Sequence, residues 1–146
     1  MSQSPEAAPI DVLLVEDSRE DAELTLHALK AAKIRNRVHV TRDGAEALDF
    51  LFRRGGFEDA PTPDLILLDL KLPKIDGHEV LEGIKRDEHL SRIPVIVVTS
   101  SQAEEDVAKS YRLRANAYVT KPIDPAAFLR AVNAIGRFWL EIVRRP

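Results

Sequence analysis

The chain contains no cysteine. That excludes a disulfide framework, thiol catalysis and a thiolate metal site. It has no apolar run near the ~20 residues that a bilayer-spanning helix needs, so no membrane segment is expected. Residues 1–9 lack the apolar core of a secretory signal and read as a short disordered tail. Charge of one sign is not in excess either: 24 acidic and 21 basic residues leave a net charge of −3. Such a balance gives no electrostatic footprint for nucleic acid or for an anionic membrane surface. The histidines His27, His39, His78 and His89 are dispersed without ligand spacing and read as surface residues. Internal repeats and low-complexity tracts are missing as well. A cytoplasmic protein of one domain is expected, since 146 residues at 45% hydrophobic content suffice for a real core.

Present instead is a set of short apolar runs, each stopped by a polar residue. Leu65-Ile66-Leu67-Leu68 has no helical spacing, is preceded by Pro61 and Pro63, and ends at Asp69. A run of this kind reads as a strand buried on both faces of a parallel sheet. Ile10–Val15 reads as a first strand ending at Glu16-Asp17. Val38, Val40 and Thr41 mark a shorter, more exposed second strand near an edge. Val95–Val98 gives a fourth strand ending at Thr99, and Asn116–Thr120 a fifth ending at Lys121.

Helical segments alternate with these strands. Ser18 caps the first, with Asp21 at the third helical position, and Ala22, Leu26, Leu29 and Lys33 share one face. Asp43 and Glu46 open the second, whose expected buried stripe is Ala45, Leu48, Leu51 and Phe52, with Gly55 and Gly56 ending it. Asp76 caps the third, Gly77 permits close approach to the preceding turn, and Val80, Leu81 and Ile84 face inward. Ser101 and Glu104 form a capping box for the fourth, where Ala103, Val107 and Tyr111 align. Asp124-Pro125 opens the fifth, expected to run to about Val143. Five β-α units in alternation predict an α/β fold, a flavodoxin-like (βα)5 doubly wound parallel sheet of order 2-1-3-4-5. The domain is expected over residues 10–143, with 144–146 as a solvated tail.

In a parallel sheet the strand ends share one edge. Glu16, Asp17, Asp69, Thr99 and Lys121 should therefore converge there. Contact with water explains one polar strand end but explains five such types poorly. Crowded carboxylates repel unless a hard divalent cation sits among them, and Mg²⁺ suits an all-oxygen site. The neighbouring lysine and hydroxyl suit a phosphoryl group, which the Asp69 carboxylate could accept.

At this point the chain resembles the response-regulator receiver domains of two-component signalling. The resemblance rests on Val15-Glu16-Asp17, Leu68–Pro73, Asp76-Gly77, Val98-Thr99-Ser100 and Tyr118–Pro122, in order and each at a strand end. It implies Asp69 as phosphoacceptor, with Asp17, Asp69 and the Lys71 backbone carbonyl as Mg²⁺ ligands and Glu16 acting through metal-bound water. It implies Thr99 as the switch hydroxyl, Tyr118 as the aromatic that moves with it, Lys121 as the partner of the phosphoryl oxygens, and a cis bond before Pro122. The implied function is that of a phosphoacceptor signalling protein rather than an enzyme. A histidine kinase would donate the phosphoryl group, and the α4-β5-α5 surface would pass the signal on by protein contact or dimerisation.

Three alternatives stand beside it. A haloacid-dehalogenase-like phosphatase would want a second Asp where Lys71 stands. A flavodoxin-like cofactor binder would want a phosphate loop where Glu16 and Asp17 stand. A receiver fold that no longer takes phosphate would lack part of the set Asp17, Asp69, Thr99 and Lys121.

The last helix carries a wider apolar stripe than one face needs. Two readings stand for it: a well-buried final helix, or a homodimer or partner surface offered by Phe138, Trp139 and Ile142. That ending, and the long connection before Asp64, resemble the small regulators that accompany phytochrome-type histidine kinases, so a bacteriophytochrome is the expected kinase.

Overall fold

The computed structural model describes residues 10–31 and 36–135. The expected tails, Lys33, and the surface assigned to Phe138, Trp139 and Ile142 lie outside the described residues. The strands are β1 (Ile10–Val15), β2 (Asn36–Thr41), β3 (Leu65–Leu68), β4 (Val95–Thr99) and β5 (Ala117–Thr120). The helices are α1 (Arg19–Ala31), α2 (Gly44–Phe52), α3 (Gly77–Arg86), α4 (Glu104–Arg112) and α5 (Pro125–Ile135), with a 3₁₀ turn at Leu90–Arg92. All pairings are parallel, in the order β2-β1-β3-β4-β5. This is the flavodoxin-like topology predicted from the alternation of elements.

The apolar runs explain the two layers. Side chains alternate across a strand, so Val12, Leu14, Leu65, Leu67, Ile96 and Val98 meet Leu29 of α1 and Phe128 and Val132 of α5. On the other face Leu13, Val15, Ile66, Leu68, Val95 and Val97 meet Phe50 of α2 and Val80, Leu81 and Ile84 of α3. Each residue of β3 is fully buried, worth roughly 1.5–3 kcal/mol per side chain. The central register places Leu68 beside both Val15 and Val97. Consequently the residues that follow Val15 and Leu68 emerge at one rim.

Several local expectations are corrected. In α2 the buried set is Gly44, Ala47, Phe50 and Leu51. Ala45 and Leu48 are half-buried and Phe52 is 40% exposed. Phe52 lies about 100° around the helix from Leu51, under the Arg54 guanidinium at 5.2 Å. Gly55 and Gly56 do not end α2. Arg53 does, in the left-handed region at φ 56°, and both glycines continue the turn at positive φ. In α4 the aligned residues are not a buried stripe: Ala103 and Tyr111 are exposed, Val107 is half-buried, and Ser110 is the buried position. The Ser101 hydroxyl does not form the capping box with Glu104. It donates to Asp106 Oδ2 at 2.6 Å and accepts from the Ala103 amide at 3.3 Å, while the N-cap residue Ala103 has no side chain to cap the helix. β2 is as long as β1, although it is the edge strand as expected. His78 is not a surface residue: it is 9% exposed, with Nε2 3.1 Å from Ser110 Oγ. The one fully buried side chain of α4 is polar, so its junction with α3 holds a polar pair, His78 with Ser110.

Gly77 couples this scaffold to the rim. A Cβ there would overlap the Asp69 carbonyl oxygen and Leu70 Cα, both backbone atoms that cannot swing aside. Gly77→Ala is expected to destabilise the protein by about 1–3 kcal/mol, read as a lower urea midpoint. It should also displace the peptide that carries Asp69.

Candidate functional site

Each rim residue is delivered by the end of an element. The Glu16 amide donates to the Thr41 carbonyl at 2.9 Å, and the Asp69 amide to the Val15 carbonyl at 3.1 Å. These bonds extend the sheet past its last apolar residues and hold both acids at its edge. Glu16 Oε2 accepts from the Ser18 amide at 3.1 Å, and Asp69 Oδ1 from the Lys71 amide at 3.3 Å. Glu16 is 2% exposed and Asp69 6%, whereas Asp17 is open to solvent. One oxygen from each of the three lies within 4.8 Å of the others.

Lys121 follows the last residue of β5 at the same edge. Its amide donates to the Thr99 carbonyl at 2.8 Å, and the bond to Pro122 is cis, as expected. Its Nζ lies 2.6 Å from Glu16 Oε1, 2.9 Å from Asp21 Oδ2 and 3.0 Å from Asp69 Oδ2. Burial alone would lower the pKa of this ammonium. The bonds to Glu16, Asp21 and Asp69, with the Asp69 charge, outweigh that and hold it above the ordinary lysine value. Burial pushes the Glu16 carboxyl up, assisted by the Asp69 charge and opposed by Lys121 and the Ser18 amide.

Thr99 is fully buried, and its Oγ1 accepts from the Ser101 amide at a long 3.5 Å. The Tyr118 hydroxyl donates to the Ser101 carbonyl at 2.9 Å, and burial raises its pKa. Both side chains thus act on the loop leading into α4. Pro122 lines a cavity of about 260 Å³ with Asp21, Leu24, Thr25, Ser100, Lys121 and Ile123.

The structure therefore brings together Glu16, Asp17, Asp69 and Lys121, with the Lys71 amide on the acid and Thr99 one strand away. It adds Asp21, which the sequence marks only as the third helical position after the Ser18 cap. The available signal was its place in the first turn of α1, the helix that starts two residues after Asp17. The donor set fits a hard divalent cation: oxygen atoms only, from three clustered acids, beside one fixed ammonium. No helix among the described residues is long and apolar enough to cross a membrane.

Comparison with known proteins gives a consistent family. The response regulator receiver domain matches residues 12–133. Response regulator Rcp1 of Synechocystis sp. is 46% identical over 138 residues, covering 94% of this chain and 94% of Rcp1. Its Mn(2+)-bound crystal structure superposes with a TM-score of 0.77 over 94% of this chain and 99% of that one. The bacteriophytochrome response regulator RtBRR is 50% identical, with a TM-score of 0.82 over 90% of this chain and 81% of that one. The phosphorylated cyanobacterial phytochrome response regulator RcpA is 44% identical, with a TM-score of 0.77 over 91% and 95%.

Proposed function

The chain belongs to the response regulator receiver family, and from that premise we propose that it accepts a phosphoryl group from a histidine kinase onto Asp69 in a Mg²⁺-dependent reaction. The observation that carries this reading is Lys121 Nζ at 3.0 Å from Asp69 Oδ2, within a cluster of carboxylates. An Asp69 oxygen attacks phosphorus as the bond to a kinase histidine nitrogen breaks. The nitrogen leaves with the electron pair and regains a proton. Lys121 stands where the ammonium can pair with a phosphoryl oxygen during transfer. Asp17, Asp69 and the Lys71 carbonyl would hold the cation directly and Glu16 through water; its charge, when bound, neutralises phosphoryl oxygens.

Signal output follows from the loop between β4 and α4. Moving the Thr99 hydroxyl toward a phosphoryl oxygen pulls on Ser101, whose carbonyl holds Tyr118. Release of Tyr118 would repack α4, β5 and α5. With Ser110 as its buried residue, α4 shifts at low cost. Phytochrome response regulators among the relatives support a bacteriophytochrome-type histidine kinase as donor.

Incubation with acetyl phosphate and Mg²⁺ tests the reading. Intact mass should rise by one phosphoryl unit, hydroxylamine should remove it, and borohydride reduction should convert residue 69 to homoserine. A label on any other residue, or none, overturns it.

A further inference from the structure

Lys121 has three donor hydrogens and three carboxylate partners, and one partner stands apart. Glu16 and Asp69 belong, with Asp17, to the group of acids gathered within 4.8 Å, and Asp21 is not a member of that group. Asp21 projects from the first turn of α1, with its amide fixed by Ser18 Oγ at 3.2 Å. Its Oδ2 is 2.9 Å from Lys121 Nζ, as close as the Asp69 oxygen at 3.0 Å. We infer that Asp21 is a positioning residue, which keeps the Lys121 ammonium paired at the rim when a divalent cation takes the Glu16–Asp17–Asp69 group. The inference rests on the phosphoacceptor reading above.

A cation and the ammonium compete for Glu16 and Asp69, and like charges repel. The Lys121 side chain is only 11% exposed. An ammonium displaced from both acids would be buried without a partner, which is costly. Asp21 removes that conflict by supplying an acceptor that the cation does not need. Both positive charges can then occupy the site, with Asp69 between them. Without Asp21, each cation bound must first strip the ammonium of its remaining partners.

Isothermal titration of the full chain with Mg²⁺ tests this in wild type, Asp21→Ala, Asp21→Asn and Glu20→Gln. Asp21→Ala should weaken Mg²⁺ binding by roughly 5–10-fold. Asp21→Asn retains an acceptor oxygen, so it should lie between Asp21→Ala and wild type. Glu20 is exposed on the same turn. Glu20→Gln removes an equal charge without touching Lys121 and should change affinity by less than about twofold. Equal affinity for Asp21→Ala and wild type would overturn the inference. So would equal losses for Asp21→Ala and Glu20→Gln, which would reduce Asp21 to a contribution of net charge. Absence of Mg²⁺ binding by wild type would instead overturn the parent reading.

Discussion

Asp69→Asn is expected to abolish phosphoryl uptake from acetyl phosphate, lowering the rate at least about 10³-fold, while leaving the fold intact. The amide oxygen is a poor nucleophile. Asp69 accepts from the Lys71 amide at 3.3 Å through Oδ1 and from Lys121 at 3.0 Å through Oδ2; the single oxygen of asparagine can keep one of these bonds, and its NH2 group cannot accept the other. Asparagine gives up attraction to the ammonium, but it also gives up repulsion from Glu16 and the cost of burying a charge. Lys121 keeps Glu16 and Asp21 as partners, so no orphaned charge remains. Stability without metal should therefore move by no more than about 1 kcal/mol. The increment that Mg²⁺ adds to the melting temperature should shrink, because one of three clustered donors has lost its charge. Intact mass and thermal melts with and without Mg²⁺ read both arms. Undiminished labelling of the variant would move the acceptor elsewhere.

The residues that matter most here are visible in the sequence for a physical reason. Glu16, Asp69 and Lys121 each follow an apolar strand directly, so finding the strand finds the residue, and parallel topology brings the three together. The cap at Asp76 and the close approach at Gly77 were legible in the same way, because each demands a particular residue type at one position. Features that depend on which way a helix is turned were harder to read. In α2, Leu48, Phe50, Leu51 and Phe52 are apolar around most of the circumference, and the sequence could not say which arc meets the sheet. In α4 the segment Glu104–Arg112 is mostly polar; its seat on α3 is made by His78 and Ser110, a contact between elements with no local signature. Asp21 carries no separate signal, because an acid at the third helical position after the Ser18 cap already has a sufficient local explanation. Its bond to Lys121 spans 100 residues of sequence.

Replacement of the ammonium should cost more stability than replacement of any one acid around it. Lys121→Met leaves Glu16 and Asp69, with side chains 2% and 7% exposed, facing each other without a cation. Breaking a buried pair by removing one partner costs about 3–5 kcal/mol, and here one cation serves three acids. In wild type the pKa of Lys121 is held above its ordinary 10.5. Its contribution to stability is therefore fully present below that pH and is lost as pH rises through the folded value. The variant should show a different dependence. With Lys121 gone, burial and the Asp69 charge that raise the Glu16 carboxyl act unopposed by the ammonium. The folded state then binds a proton more tightly than the unfolded chain does. The deficit should shrink as pH falls from neutrality toward the ordinary glutamate value of 4.5. Mg²⁺ should recover part of the loss, since a cation among the acids restores the missing charge. It should not recover phosphoryl transfer, expected to fall ~10²-fold for want of the donor. Urea unfolding at neutral and mildly acidic pH, with and without Mg²⁺, separates these effects. A variant as stable as wild type without metal at neutral pH would mean that the acids do not depend on Lys121 for their burial.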